Sequence, residues 1–226
     1  MLMAVFCLGA SLIGINAQEK DWANLQRYAQ QNAELPKPDK NEKRVVFMGN
    51  SITEGWVNTH PDFFKSNGYI GRGIGGQTSY QFLVRFREDV INLSPALVVI
   101  NAATNDIAEN TGAYHEDRTF GNIVSMVELA KANHIKVILT TTLPAAAFGW
   151  NPAIKDAPQK IASLNARLKA YAQTNKIPFV DYYSSKERPA RSASRTLRRS
   201  ARSAVSRRPL LRERLSLPCS SGWRWS

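Results

Sequence analysis

Residues Val45–Trp56 read VVFMGNSITEGW, and the order of residue types in this stretch decides the fold. Val45, Val46 and Phe47 form an apolar run of the kind that a strand buried on both faces shows. Gly49-Asn50-Ser51 interrupts the run, and Ile52-Thr53-Glu54 can open a helix. A serine at such a strand-to-helix turn presents its hydroxyl at the sheet edge, beside backbone N–H groups that have no partner inside the helix. That is the geometry a serine nucleophile needs. The rest of the chain can be read for what this serine requires.

On either side of the stretch, strand-like and helix-like patterns alternate. The spacing of Trp22, Leu25 and Tyr28-Ala29 predicts an amphipathic helix over Asp21–Leu35, ended by Pro36 and Pro38. The first strand is expected at Arg44–Met48 and the second at Tyr69–Gly73. A helix over Ser79–Asn92 shows Phe82, Leu83, Phe86 and Val90 on one face. The third strand is Ala96–Asn101. Ile123, Val124, Val127 and Ala130 mark a helix over Phe120–Asn133, followed by the fourth strand, Lys136–Thr141. Asp156 and Pro158 signal another helix start, with Ile161, Leu164, Leu168 and Tyr171 as its buried stripe, and Pro178–Asp181 is the fifth strand. Apolar strands alternating with amphipathic helices predict an α/β domain with a parallel sheet covered on both faces. Ligands of such sheets bind at the carboxyl ends of the strands.

Three polar segments follow strands one, two and three: Gly49-Asn50-Ser51, Gly73-Ile74-Gly75-Gly76-Gln77-Thr78 and Ala103-Thr104-Asn105-Asp106. A parallel sheet brings all three to one edge. Taken singly, the glycines can serve a tight turn and Asn105-Asp106 an Asx cap; their joint placement at one edge points to a site.

On the stretches FMGNSITEGW (47–56), RGIGGQTS (72–79) and TND (104–106), the sequence resembles the SGNH, or GDSL-type, hydrolase family. The resemblance implies a three-layer α/β/α flavodoxin-like fold with a five-stranded parallel sheet in the order 2-1-3-4-5. It also implies a serine esterase or acylhydrolase that acts through an acyl-enzyme, without metal or cofactor, on small acyl esters such as O-acetyl groups of carbohydrates. Ser51 is the expected nucleophile. Its own N–H, the Gly76 N–H and the Asn105 side-chain amide are the expected oxyanion donors, and Asn50 and Asp106 support them. Glycine suits position 76 because the backbone there must approach the substrate. The family's third block usually carries glycine where this chain has Ala103, and a methyl group there would crowd the turn that aims Asn105. Phe148 and Trp150, in the loop after strand four, are candidates for lining the acyl or sugar pocket; packing on the domain is the equal alternative.

The family's general base is a histidine in an Asp-x-x-His block after the fifth strand. This chain has neither Asp nor His after Asp181, and its histidines are His60, His115 and His134. His134 precedes strand four and belongs to the opposite edge. His115 lies at the right edge and is the weak substitute candidate for a base. The chain is therefore expected to be impaired, and its fold to lack a normal C-terminal helix. A non-catalytic carbohydrate-binding module on the same fold is the alternative function.

Composition sets the outer bounds. The 226 residues carry a net charge of +12, but residues 186–226 hold 11 Arg, one Lys and two Glu, leaving residues 1–185 nearly balanced. Nucleic-acid binding is thus not expected of the domain. Arg, Ser and Leu, the amino acids with six codons each, make up 25 of those last 41 residues. The abrupt change suggests a shifted reading frame or a disordered tail. Residues 1–17 (MLMAVFCLGASLIGINA) read as a signal peptide cut after Ala17, too short for a stable membrane span, which implies a secreted or periplasmic protein. Residues 18–185 form the hydrolase-like domain. Cys7 falls within the leader and Cys219 stands alone, so no disulfide or cysteine metal site is expected.

Overall fold

The structure, a computed structural model, describes residues 21–185; residues 1–20, with the expected signal peptide, and residues 186–226, with the expected tail, lie outside the described residues. The elements in chain order are α1 (Ala29–Glu34), β1 (Val45–Gly49), α2 (Ser51–Thr59), α3 (Pro61–Ser66), β2 (Tyr69–Gly73), α4 (Ser79–Asp89), β3 (Leu97–Ile100), α5 (Thr104–Ile107), α6 (Glu116–Ala132), β4 (Lys136–Thr140), α7 (Ala157–Thr174), β5 (Phe179–Val180) and α8 (Tyr182–Ser185). All five strands pair in parallel in the order β2-β1-β3-β4-β5. β1 therefore sits between β2 and β3, as the resemblance implied. Its residues are buried throughout, which explains why it reads as a continuous apolar run and not as an alternating one.

Alternate residues of the strands feed two cores. Val46, Met48, Val98, Ile100, Val137 and Leu139 point into the larger one, closed by α4, α6 and α7. Val45, Phe47, Leu97, Val99 and Ile138 point to the other face, where Phe64 of α3 and Trp56 of α2 close on them. This smaller core is aromatic. Phe47, Trp56, Phe63, Phe64 and Tyr69 meet with ring centroids 5.2–5.6 Å apart, a spacing at which edge-to-face pairs are favourable.

The observed elements depart from the sequence expectations at specific places. The helix expected over Asp21–Leu35 is a 3-10 turn at Leu25–Arg27 followed by the short α1. Asn24 is left-handed (φ 53°), and the Asp21 carboxylate takes the N–H groups of Leu25 and Gln26 at 2.8 and 2.9 Å, so the chain bends before a regular helix can start. The first connection holds two helices, because Pro61 cannot continue α2 and opens α3 instead. The helix expected over Ser79–Asn92 ends at Asp89 and continues as a 3-10 turn over Ile91–Leu93.

Candidate active site

β1 delivers Ser51 to the carboxyl edge of the sheet as the first residue of α2. Asn50 is the N-cap: its Oδ1 accepts the Ile52 N–H at 3.0 Å. The Ser51 hydroxyl is exposed and makes no hydrogen bond among the described residues, so it is free to meet a ligand. The Asn50 Nδ2 is buried without a partner, one of few such groups here.

The turn is sharp because α2 lies almost against β2. A Cβ built on Gly73 would stand 2.3 Å from the Glu54 nitrogen and 2.7 Å from the Asn50 oxygen. Glycine at 73 thus permits the close approach of helix and strand that aims Ser51. Beyond it the chain forms the Gly75-Gly76 loop. Gly76 has φ 74°, the left-handed region open to glycine, and its N–H makes no hydrogen bond among the described residues. Two contacts hold this loop: the Glu54 carboxylate accepts the Gly75 N–H at 2.8 Å, and Asn110 Nδ2 donates to the Gly76 oxygen at 2.9 Å. Arg27 pairs with Glu54 at 3.0 Å from the outer side.

Asn105 lies in α5, directly after β3, and is buried at 3% exposure. One of its amide hydrogens goes to the Gln77 oxygen at 2.9 Å; the other remains available. Asp106, next in the chain, turns inward. Its carboxylate accepts from the Ser79 N–H, the Ser79 hydroxyl and the Thr119 hydroxyl, and so joins α5 to α4 and α6. Burial pushes its pKa up from the ordinary 3.8, against the downward pull of those hydrogen bonds. Ala103, where a crowding methyl was anticipated, is left-handed at φ 82° and 1% exposed. What the structure shows there is a left-handed backbone, unfavourable for an L-residue, held immediately before Asn105.

The structure thus brings Ser51, Gly76 and Asn105 to one edge, just beyond the ends of three adjacent strands. It does not bring a described histidine to Ser51. His60 caps the far end of α2, about 13 Å along the axis from Ser51. His134 precedes β4 at the opposite edge. His115 caps α6 and opens a separate cavity of about 260 Å³ with Trp22, Tyr80, Asp106 and Thr119. Among the described residues no three His, Cys, Asp or Glu side chains are grouped to hold a metal ion, and no helix is long and apolar enough to cross a membrane.

An open groove of about 690 Å³ is lined by Gly75, Gly76, Asn110, Trp150 and Trp22 among others. Phe148 and Trp150 divide their roles. Phe148 is 2% exposed and belongs to the larger core, whereas Trp150 is 52% exposed and fixed over the groove by a bond from its Nε1 to Asn110 Oδ1 at 2.9 Å. Sequence reasoning missed Asn110, which lies in a polar loop without a distinguishing pattern, and gave Gln77 no role of its own although it stands within the quoted stretch RGIGGQTS. It also missed Arg85, which did leave a signal. With Asp89, Arg85 falls on the same helical stripe as Phe82 and Phe86, a charged pair where only apolar residues belong.

Residues 47–202 match the model of the GDSL-like lipase/acylhydrolase family, and the chain belongs to that family, whose members are ester hydrolases by kind. A crystal structure from Bacteroides fragilis, assigned as an acylhydrolase, is 99% identical, covers 74% of this chain and 80% of its own, and superposes with a TM-score of 0.73. A GDSL-like lipase from Bacteroides thetaiotaomicron is 78% identical over 72% of this chain and 79% of its own, with a TM-score of 0.71. An acetylxylan esterase from Geobacillus stearothermophilus, 18% identical with a TM-score of 0.53, covers 72% of this chain and 94% of its own and shares the fold. An uncharacterised lipoprotein of Bacillus subtilis is 32% identical over 44% of this chain and 48% of its own, so the chain spans about half the length of that curated relative.

Proposed function

We propose that this protein is a serine ester hydrolase in which Ser51 is the nucleophile, acting on small acyl esters, including acetyl esters of carbohydrates. The observation that carries this reading is the convergence of an exposed Ser51 hydroxyl, the free Gly76 N–H and the Asn105 amide at one sheet edge. Ser51 Oγ attacks the ester carbonyl carbon and the carbonyl π pair moves onto oxygen. The resulting oxyanion lies among the N–H groups of Ser51 and Gly76 and the second amide hydrogen of Asn105. Collapse breaks the bond to the leaving oxygen, which departs as the alcohol on taking up, by way of solvent, the proton that Ser51 Oγ gave up, and leaves an acyl-serine that water then hydrolyses through the same oxyanion. Asn50 holds the helix start and Asp106 holds α5, so both act by position.

The proton of Ser51 needs an acceptor, and the described histidines do not supply one. Turnover by this chain is accordingly weak; loss of a base in a serine hydrolase costs on the order of a million-fold in turnover. The composition of residues 186–226 supports a shifted reading frame after Ser185 as the cause. Export fits the apolar segment 1–17 and the lipoprotein relative. The test is hydrolysis of 4-nitrophenyl acetate by the 226-residue chain beside Ser51→Ala. Slow hydrolysis that vanishes in the variant is expected. Hydrolysis indifferent to Ser51 overturns the nucleophile, and fast Ser51-dependent turnover overturns the impaired state.

The absence of a described histidine beside Ser51 also favours a second reading, a carbohydrate-binding module that keeps the pocket. It requires ligand binding unaltered by Ser51→Ala and no covalent labelling by a serine-directed fluorophosphonate.

A further inference from the structure

Arg85 is the largest fully buried side chain of the described residues, at 0% exposure. Taking a guanidinium out of water costs several kcal/mol, and an apolar residue would fill the same stripe of α4 without that cost. The placement calls for a reason beyond packing. Asp89, one turn later, neutralises the charge through Nη1 at 2.7 Å. The other two arms reach different elements. Nη2 donates to the Gly49 oxygen at 3.0 Å, and Nε donates to Gln77 Oε1 at 2.6 Å.

Both acceptors lie within two residues of the reacting groups. Gly49 ends β1 two residues before Ser51, and its oxygen also accepts the Ile74 N–H at 3.1 Å. Gln77 directly follows Gly76, and its main-chain oxygen accepts Asn105 Nδ2. The Gln77 side chain cannot slide, because its Nε2 is anchored on the Ala23 oxygen at 2.7 Å. One planar fork thus ties the ends of β1 and β2 and, through Gln77, the end of β3.

We propose that Arg85 is a positioning residue for the oxyanion pocket, setting through Gly49 and Gln77 the relative placement of Ser51, Gly76 and Asn105. The inference rests on the assignment of those three residues as the reacting pocket. Lysine cannot replace it, since a single ammonium lacks the fork that spans three acceptors in three directions.

The experiment uses the full chain and compares Arg85→Lys, Gln77→Met and, as a purely destabilising control at the opposite edge of the sheet, Ile135→Ala. Proton exchange of the Asn105 side-chain amide is followed by NMR, with the signal assigned through its loss in Asn105→Asp. Melting temperatures are recorded in parallel. Arg85→Lys and Gln77→Met are expected to speed exchange at Asn105 by about tenfold, the factor one net hydrogen bond carries. Ile135→Ala is expected to lower the melting temperature and leave that exchange rate in place. Unchanged exchange in Gln77→Met and Arg85→Lys overturns the proposal, as does exchange that merely follows melting temperature in all three. Gln77→Met decides alone if Arg85→Lys does not fold. A kinetic arm separates the two readings: in Ser51-dependent ester hydrolysis, Arg85→Lys should lower kcat and leave KM in place. If the parent chain shows no such hydrolysis, the hydrolase reading fails while the amide signal still decides Arg85.

Discussion

Ala103, Gly73 and Asp106 show how single residues shape this edge, each by a different force. Ala103 holds a left-handed backbone that costs an L-residue about 1–2 kcal/mol. Glycine would relieve that strain, but it would lose a buried methyl and gain freedom in the unfolded chain, terms of about 0.8 and 0.4–1 kcal/mol. Ala103→Gly is therefore expected to change stability by less than about 1 kcal/mol in urea titration. Ala103→Val, β-branched at the same φ, should cost more than about 2 kcal/mol. Gly73 is set by space, not by φ. A methyl there would run into the backbone of α2, so Gly73→Ala should cost at least about 2 kcal/mol and displace Ser51. Asp106 is governed by burial. Because its folded pKa lies above the unfolded 3.8, the stability it contributes is present below pH 3.8 and is lost as pH rises through the folded value. The stability of Asp106→Asn relative to the parent should therefore climb as pH is raised above 3.8 and then level off. Paired denaturant titrations across pH check the sign; a relative stability that falls with pH would contradict it.

At the level of elements, α2 carries the serine and the aromatic core carries α2. Phe47 on β1 and Trp56 on α2 meet edge-on at 5.5 Å, and Phe64 of α3 packs on both. Phe47→Ala should cost about 3–5 kcal/mol in equilibrium unfolding, because the rings around it cannot collapse into the space. The segment before β1 acts from the other side. Tyr28 donates its hydroxyl to the Gly73 oxygen, and the oxygens of Trp22 and Ala23 accept from Gln81 and Gln77. Residues 21–28 thus form a strap over the second loop of the site. Tyr28→Phe removes one buried bond and leaves the Gly73 oxygen without this donor, a loss of about 1–2 kcal/mol that thermal melts would register.

For the whole molecule, the parallel order with β1 flanked by β2 and β3 is what turns three loops distant in sequence into one site. The same order puts two strands, β3 and β4, between the end of β5 and β1. A base arriving after β5 must cross the edge over β4 and β3 to reach Ser51, and no described histidine makes that crossing. If a shifted frame is the cause, one of the other two frames downstream of codon 185 encodes Asp-x-x-His followed by an amphipathic helix. Sequencing across that codon checks it, and two frames without the block would end the idea. A chain with the restored frame should hydrolyse 4-nitrophenyl acetate faster by several orders of magnitude, with Ser51 still required.

Much of this protein was legible in the chain because local periods encode it. The apolar run of β1, the helical spacing of α6 and α7 and the break at Gly49-Asn50-Ser51 depend on neighbours in sequence, and they placed the strands to within a residue or two. The three glycine- and asparagine-bearing segments were legible for the same reason, once a parallel sheet assigned them to one edge. What only the tertiary structure decided are contacts between residues far apart in the chain. The fork from Arg85 to Gly49 and Gln77 spans eight to 36 residues, and Asn110 reaches back 34 residues to Gly76. No local period records which acceptor lies opposite a buried donor. The left-handed turn at Ala103 belongs here too, since surrounding packing and not intrinsic preference holds an alanine there.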